Sequence, residues 1–338
     1  MRAWTLTGHG APAKVLSLRE KDLPEPKANE VRIRCEAFGL NFADVMAVKG
    51  LYREAPPLPS VLGYEVVGRV DAVGTGVQQD LIGKRVVAMT RFGGYAEYAI
   101  TDHRAIAEIP EELLAGEAAA MATQGCTAWY AARILCPLRK GQRVLIHSAA
   151  GGVGHLLVQL ALRSGCEVFA VASGARKLDY LRSLGAHHAI DRAAGDVEHQ
   201  LTKALHGAKL DVSFNAVGGS SFAKDMRLLG GGGRIVLFGG AERGSIGPFG
   251  TLRFVWRMGL VVPIFLMMKS RSILGVNMLR IAEQHPDIIA ECLAGMIKAQ
   301  ARGELKAHVH GEFPASELPE ALTALERGET MGKVVLRW

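Results

Sequence analysis

Hydrophobic and polar positions divide the chain into two textures. In residues 1–120, positions 31–37 alternate at period two, and 66–73 and 85–89 are short apolar runs bounded by glycines. Gly93-Gly94-Tyr95-Ala96-Glu97-Tyr98 reads as another turn and strand, and Pro24, Pro26, Pro56, Pro57, Gly74 and Gly76 punctuate the stretch. Period-two alternation puts successive side chains on opposite faces of a pleated strand, so a compact, mostly antiparallel β domain is predicted. The pattern changes near Glu117. An alanine-rich helix is predicted over 117–135, and strand and helix patterns then alternate. Strands are predicted at 143–147, 167–172, 188–191, 211–216 and 235–238. Helices are predicted at 152–164, 175–184 and 197–206, with another running through Leu229. Strict alternation with apolar strands predicts an α/β fold with a doubly wound parallel sheet covered on both faces. The stretch 240–269 is irregular. A strand at 273–276, a helix over 281–302 and a closing strand at 333–337 are expected, and this tail should return to the first domain.

Composition narrows the function. A chain of 338 residues is long enough for two domains, and 49% hydrophobic with 22% charged residues is ordinary for a globular protein. The net charge of +7 is spread along the chain without a dense basic block, which favours an enzyme handling an anionic cofactor over a nucleic-acid binder. Five cysteines, with no C-x-x-C, suggest neither a disulfide framework nor a zinc knuckle, and a cytoplasmic location fits. Met1-Arg2-Ala3-Trp4 leads straight into a strand-like pattern, so no signal peptide is expected. The apolar stretch 254–268 carries Arg257 and Pro263 and is too short to span a bilayer. A buried helix or an apolar wall over a substrate cleft is expected there, with weak membrane contact as the minor alternative.

The strand at 143–147 runs into Ser148-Ala149-Ala150-Gly151-Gly152-Val153-Gly154, and a helix follows. A pyrophosphate sits against backbone N–H groups at a helix N-terminus, and the turn that holds it cannot carry bulky side chains. Ala150, Gly151, Gly152, Val153 and Gly154 are therefore cofactor-binding candidates. The glycines do not form a strict G-x-G-x-x-G, so the strand-turn-helix context carries the assignment. The next strand decides between cofactors. NAD sites place Asp or Glu at its tip for the ribose 2′-OH. Here the tip reads Ser173-Gly174-Ala175-Arg176-Lys177, without a carboxylate. Asp179 lies too far into the following helix to serve. Ser173, Lys177 and Arg192 are candidates for holding a 2′-phosphate by charge-assisted hydrogen bonds, which predicts NADPH over NADH. The plainer reading of Lys177 is a solvated first-turn residue.

Several motifs occur in order. They are Asn41-Phe42-Ala43-Asp44, Gly50-Leu51-Tyr52, Leu62-Gly63-Tyr64-Glu65 with Gly68, Gln124-Gly125-Cys126-Thr127-Ala128, Leu184-Gly185-Ala186, Asn215-Ala216-Val217-Gly218-Gly219 and Gly332-Lys333-Val334-Val335-Leu336. In these the chain resembles the zinc-free quinone oxidoreductase branch of the medium-chain dehydrogenase/reductase superfamily, and within it the vesicle amine transport protein-like group. The resemblance implies a GroES-like β domain from 1–122 and 277–338, with a Rossmann domain inserted at 123–276. It implies nicotinamide and substrate in a cleft between the two, and a homodimer paired through the Rossmann edge strand at 273–276. Further cofactor contacts are expected at Thr127, Asn215, Val217, Phe238, Gly239, Asn277 and Lys333. Zinc-dependent members carry a G-H-E motif whose His is a ligand. Tyr64 takes that position here, the first cysteine ligand has no counterpart near 41–44, and the four-cysteine lobe is missing. A zinc-independent reaction is expected, because catalytic zinc needs three protein ligands.

Without a Lewis acid, the expected chemistry is hydride transfer to an electron-poor acceptor, a quinone or an α,β-unsaturated carbonyl. Tyr52 is the candidate hydrogen-bond donor to the developing oxyanion. Asn41 and Asp44 resemble the family's cleft residues, and Asn41 could bind a substrate oxygen or position the nicotinamide. The plainer readings make Asp44 a helix cap and Tyr52 a wall. Met46 stands where many quinone reductases carry a second tyrosine, which suggests a greasier pocket. Alternative functions are an enoyl-thioester reductase of a lipid or polyketide pathway, or a non-catalytic NADPH-binding protein acting at membranes.

Overall fold

The structure is a computed structural model that describes residues 1–245 and 250–338, with the side chains of 244 and 245 left aside. Part of the irregular 240–269 stretch, 246–249, thus lies outside the described residues. The chain forms two compact units, Met1–Cys126 with Met278–Trp338, and Thr127–Asn277. The sequence placed these divisions at 122/123 and 276/277.

In chain order the strands are β1 (Arg2–Leu6), β2 (Leu16–Glu20), β3 (Glu30–Leu40), β4 (Glu65–Val73), β5 (Arg85–Met89), β6 (Tyr98–Asp102), β7 (Ile106–Glu108), β8 (Arg143–Ile146), β9 (Glu167–Ala172), β10 (His188–Asp191), β11 (Leu210–Asn215), β12 (Leu229–Leu237), β13 (Ser272–Gly275), β14 (Val309–Pro314) and β15 (Lys333–Arg337).

In the first unit β1 pairs with β2, and a seven-stranded sheet runs β14-β15-β3-β4-β5-β7, with β6 also on β3. Its pairings are antiparallel except β14 with β15. The 11-residue β3 is its spine, and the alternation read from the sequence buries Val31, Ile33, Phe38 and Leu40 with Val66, Val86 and Leu336. Gly68 sits where a Cβ would lie 2.1 Å from the Arg34 carbonyl oxygen, beside the register shift between Cys35 and Ala37. Only glycine lets β4 cross that bulge so closely. The tail returns to this sheet as expected, with β15 against β3. The helix expected over 281–302 is two helices, Met278–Gln284 and Pro286–Ala301. Pro286 lacks an N–H and fits the first position of a new helix, so the chain breaks at His285. The helix expected over 117–135 is likewise interrupted. Ala115–Ala120 gives way to wide π-type turns at Met121–Gly125 and Tyr130–Leu135 around Cys126–Trp129.

The second unit is a six-stranded parallel sheet in the order β10-β9-β8-β11-β12-β13. This is the doubly wound dinucleotide-binding order, in which the crevice lies at the carboxyl ends of the central strands. Leu145, Phe169, Val171, Ile190, Phe222 and Ile235 pack in its core. The β13 strand lies at the sheet edge. The apolar 254–268 stretch corrects its expectation. It falls in two short helices, Gly250–Met258 and Pro263–Lys269, and it is largely exposed rather than buried. Trp256 is 80% and Leu260 91% exposed. The first helix does place its Phe254 ring against Gly218, where a Cβ would meet the ring at 2.7 Å, so one side packs and the other is left outward.

Candidate functional site

The glycine turn behaves as its chemistry requires. Ser148 takes a left-handed φ of 50°, and Gly151 N–H closes the turn onto the Ser148 carbonyl at 2.9 Å. The helix Gly154–Arg163 begins there. A Cβ on Gly154 would lie 2.3 Å from the Ser148 oxygen and 2.7 Å from the Ala149 Cα, so the helix can seat on β8 only with glycine at this point. In that first turn the His155 N–H donates to the Gly151 carbonyl at 3.0 Å. Ala150 is buried, while Gly151, Gly152 and Val153 are partly open.

The tip of β9 brings the three predicted phosphate ligands together. Arg192, in the turn after β10, donates its Nε–H to Ser173 Oγ at 3.1 Å. Lys177 lies close enough for Arg192 to add to the effect of burial in lowering its pKa. Two cations held against one another fit a doubly charged anion, because it converts their repulsion into charge-assisted hydrogen bonds. Asp179 pairs with Arg182 at 2.7 Å, and Asp191 accepts the Ala193 N–H.

Beneath the turn lies a closed polar network. The two carboxylate oxygens of buried Asp225 meet His147 Nε2 at 2.9 and 3.0 Å, and Oδ2 also accepts from Ser213 Oγ at 2.7 Å and Asn215 Nδ2 at 2.7 Å. Asn215 Oδ1 accepts the N–H groups of Val217 and Gly218 at 2.9 and 2.8 Å. The Asn215 side chain is fully buried and braces the 217–219 loop. Val217 sits on that loop, half-buried. Phe238 and Gly239 follow the end of β12, where a Cβ on Gly239 would come within 2.6 Å of the Ala216 oxygen. Thr127 is buried at the start of the second unit, and Asn277 is exposed at its end.

The first unit holds a second polar network, also assembled from predicted residues. Lys333, on β15, is fully buried and donates to Glu65 Oε1, to Leu40 O at 3.1 Å and to Asn41 Oδ1 at 3.3 Å. Lys333 is therefore paired with Glu65. Burial lowers its pKa against the pull of Glu65. Asn41 Nδ2 donates to Glu65 Oε1 at 2.8 Å, and the Asn41 N–H donates to Asp44 Oδ2 at 2.9 Å. Asp44 thus does cap the helix Phe42–Val48. It is also fully buried, and burial pushes its carboxyl up to about 7. Tyr95 faces Asp44 without closing a hydrogen bond. The Tyr64 ring meets Tyr52 edge-on at 6.3 Å and Phe92 at 5.1 Å. Tyr52 is half-buried, and burial raises its pKa. Sequence reasoning named Asn41, Asp44 and Tyr52 here but missed Glu65, Tyr95 and Gln124 as members. Glu65 directly after the Tyr64 slot was the available signal.

Buried Tyr64 occupies the histidine slot, with its phenol pushed further from ionisation by burial. Among the described residues no group of three or more His, Cys, Asp or Glu is placed to hold a metal ion.

Comparisons with known proteins agree with this geometry. Residues 27–111 match the alcohol dehydrogenase GroES-like domain, and residues 152–294 match the zinc-binding dehydrogenase family. The human synaptic vesicle membrane protein VAT-1 homolog is 32% identical over 99% of this chain and 86% of its own length. The chain belongs to the VAT-1 homologue group of the medium-chain dehydrogenase/reductase superfamily. Its GroES-like and Rossmann units are those of the superfamily. A mycocerosic acid synthase-like polyketide synthase of Mycobacterium tuberculosis is 29% identical over 93% of this chain, which spans only 14% of that protein. The crystal structure of Escherichia coli quinone oxidoreductase complexed with NADPH superposes with a TM-score of 0.88 at 26% identity, covering 100% of both chains. Among the described residues no single helix is long and apolar enough to cross a membrane.

Proposed function

We propose that this VAT-1 homologue is a zinc-independent, NADPH-dependent oxidoreductase that reduces a small hydrophobic quinone or α,β-unsaturated carbonyl. The observation that carries it is the tip of β9, where Ser173, Lys177 and Arg192 converge and no carboxylate stands in the ribose position. The quinone oxidoreductase that it resembles was crystallised with NADPH. When bound, NADPH supplies the hydride. The protein holds its phosphates on the 150–154 turn and its 2′-phosphate on the three residues at the tip. Tyr52, a phenol that burial keeps protonated, donates a hydrogen bond to the substrate oxygen as negative charge develops there. Asn41, its amide fixed by Glu65 and Lys333, and the helix-capping Asp44 hold the wall behind it. NADPH consumption against a panel of quinones, enones and enoyl thioesters tests this reading, and silence with all three acceptors overturns it.

Two other readings have specific support. The polyketide synthase relative favours an enoyl-thioester reductase, which the same panel separates. The exposed Trp256, Leu260, Phe265 and Met268 beside Arg253, Arg257 and Lys269 favour a protein that contacts membranes or a partner. Under our reading the protein is cytoplasmic and pairs as a homodimer through the β13 edge. Liposome co-sedimentation together with sedimentation velocity distinguishes the two roles of that surface.

A further inference from the structure

Ten of the sixteen large hydrophobic side chains that stand exposed among the described residues fall between Leu252 and Met268. Met267 and Met268 are 74% and 73% exposed, comparable with Trp256 and Leu260. Single exposed apolar residues are ordinary, but a contiguous group marks a surface that something covers. The segment is held in place from its inner side. Phe254 packs on Gly218 and Gly240, the Gly219 N–H donates to Met258 Sδ at 3.0 Å, and Arg257 Nη1 donates to Glu242 Oε1 at 2.7 Å. The Arg271 guanidinium donates to the Met226 and Leu229 carbonyls. Positions 254, 257 and 258 share one face of the helix Gly250–Met258, which leaves Leu252, Val255 and Trp256 on the opposite face. The apolar side is therefore presented outward on a fixed base.

The charge around this face has one sign. Between positions 243 and 277 the sequence carries Arg243, Arg253, Arg257, Lys269 and Arg271, and no Asp or Glu. Arg253 and Lys269 are exposed, one in each of the two helices that carry the apolar side chains. We propose that the helices Gly250–Met258 and Pro263–Lys269 form an interfacial anchor that docks on an anionic phospholipid bilayer. The pair lies in the headgroup layer and does not cross it. The helices are bent from one another by 41°, and at 1.5 Å per residue they are roughly 14 and 11 Å long, against a hydrocarbon core of ~30 Å. Trp256, Leu260 and Phe265 enter the acyl boundary, while Arg253 and Lys269 lay their stems on it and carry their charges to the lipid phosphates.

A second copy of the chain is the competing occupant, and charge decides against it. A twofold interface sets a surface against its own image. That would oppose Arg253 and Lys269 to the same cations, with no carboxylate between 243 and 277 to pair them. An anionic headgroup layer supplies the opposite charge along the whole face. Pairing at the β13 edge joins backbone groups and does not require these side chains. Such docking presupposes the membrane-contact reading of this surface and is independent of which acceptor is reduced.

The test uses the full chain with vesicles of phosphatidylcholine alone and of an equimolar mixture of phosphatidylcholine and phosphatidylglycerol. Co-sedimentation is measured at low and high salt for the native protein, W256S/L260S and R253E/K269E. Sedimentation velocity and NADPH consumption with a water-soluble enone are recorded for each. The native protein is expected to bind the mixed vesicles, more weakly as salt rises, and to bind phosphatidylcholine poorly. W256S/L260S should bind the mixed vesicles about 10²-fold more weakly, and R253E/K269E should lose the preference for them. Brominated lipid should quench the tryptophan fluorescence of the native protein and not that of W256S/L260S, because Trp256 is the one exposed tryptophan among the described residues. Quenching of the native protein and the charge-reversal variant suffice if W256S/L260S fails to fold. No binding to the mixed vesicles, or native-like binding by W256S/L260S, overturns the anchor. Equal binding to both vesicles overturns the assignment to anionic lipid. A shift of W256S/L260S to a smaller species, with no vesicle binding by the native protein, gives the surface to a second copy. If vesicle binding follows expectation while no acceptor is reduced, the reductase reading falls and the anchor stands. If NADPH is consumed normally and no vesicle is bound, the anchor alone falls.

Discussion

The two units each bury a carboxylate among polar side chains, and they do so differently. In the Rossmann unit Asp225 spends both oxygens on His147, Ser213 and Asn215, and no buried side-chain nitrogen or oxygen of these four lacks a partner among the described residues. In the GroES-like unit Glu65 and Asp44 each keep one oxygen unpaired, with two tyrosine hydroxyls and the Gln124 oxygen in the same state. A fully satisfied network rigidifies what it touches, whereas a partly satisfied one is costly and persists at sites of chemistry. Asp225 acts as a brace that fixes the 217–219 loop. The Rossmann unit gathers two cations, Lys177 and Arg192, beside Ser173 at the tip of β9.

The largest effect should come from the most completely buried pair. Lys333→Met leaves Glu65 charged and without its cation, and both side chains are 0% exposed. Breaking such a pair costs about 3–5 kcal/mol, read as a lowered urea midpoint. The double variant K333M/E65Q should recover most of the loss, because no uncompensated charge then remains. If K333M unfolds at the native midpoint, the ion pair is not what holds β15 to the site.

Next is a dependence on pH. The folded-state pKa of Asp44, about 7, lies above the ordinary carboxylate value. Between those two values the folded state binds more protons than the unfolded chain, so stability falls as pH rises across that window. Urea unfolding at a series of pH values should show this fall in the native protein, and D44N should flatten it. Identical slopes for the two would place Asp44 as an ordinary ionised cap. Asp225→Asn belongs below these. It sets an NH2 against donors from Ser213 or Asn215 and should cost about 1–3 kcal/mol. Because the network braces the 217–219 loop, NADPH binding by titration should weaken as well.

Much of this was legible in the chain, and the limits are physical. Parallel strands buried on both faces wrote themselves as apolar runs, so β8 and β9 emerged near their bounds. The glycine turn was legible because Gly154 is required by close contacts with the backbone of Ser148 and Ala149. The composition of 254–268 signalled apolarity but not what covers it, and burial depends on packing rather than on composition. Lys333 and Glu65 are 268 residues apart in sequence, and no local pattern pairs them. Asn215 was read as a cofactor contact from the family resemblance, and its amide donates to Asp225, a residue given no role in the sequence reading. Direction of side chains within a network is set by tertiary partners, and sequence patterns do not carry it.

The smallest effect concerns the rim of the Rossmann unit, and it separates rim from interior. Lys177→Ala removes one cation from the pair beside Ser173 without touching the Asp225 network. If the pair grips a 2′-phosphate, NADPH affinity should fall about tenfold or more, or ~1.4 kcal/mol, while NADH affinity stays the same, because NADH has a hydroxyl there. The Kd ratio of the two cofactors isolates the 2′-phosphate from every other contact that they share. Arg192→Ala should act in the same direction, and the double variant should bind the two cofactors alike. Stability should stay within about 0.5 kcal/mol of native, since surface substitutions outside such networks change little. A fall in both affinities together would mean that Lys177 serves the shape of the loop and not its charge, and the contrast between an open rim and a closed interior would then be lost for this unit.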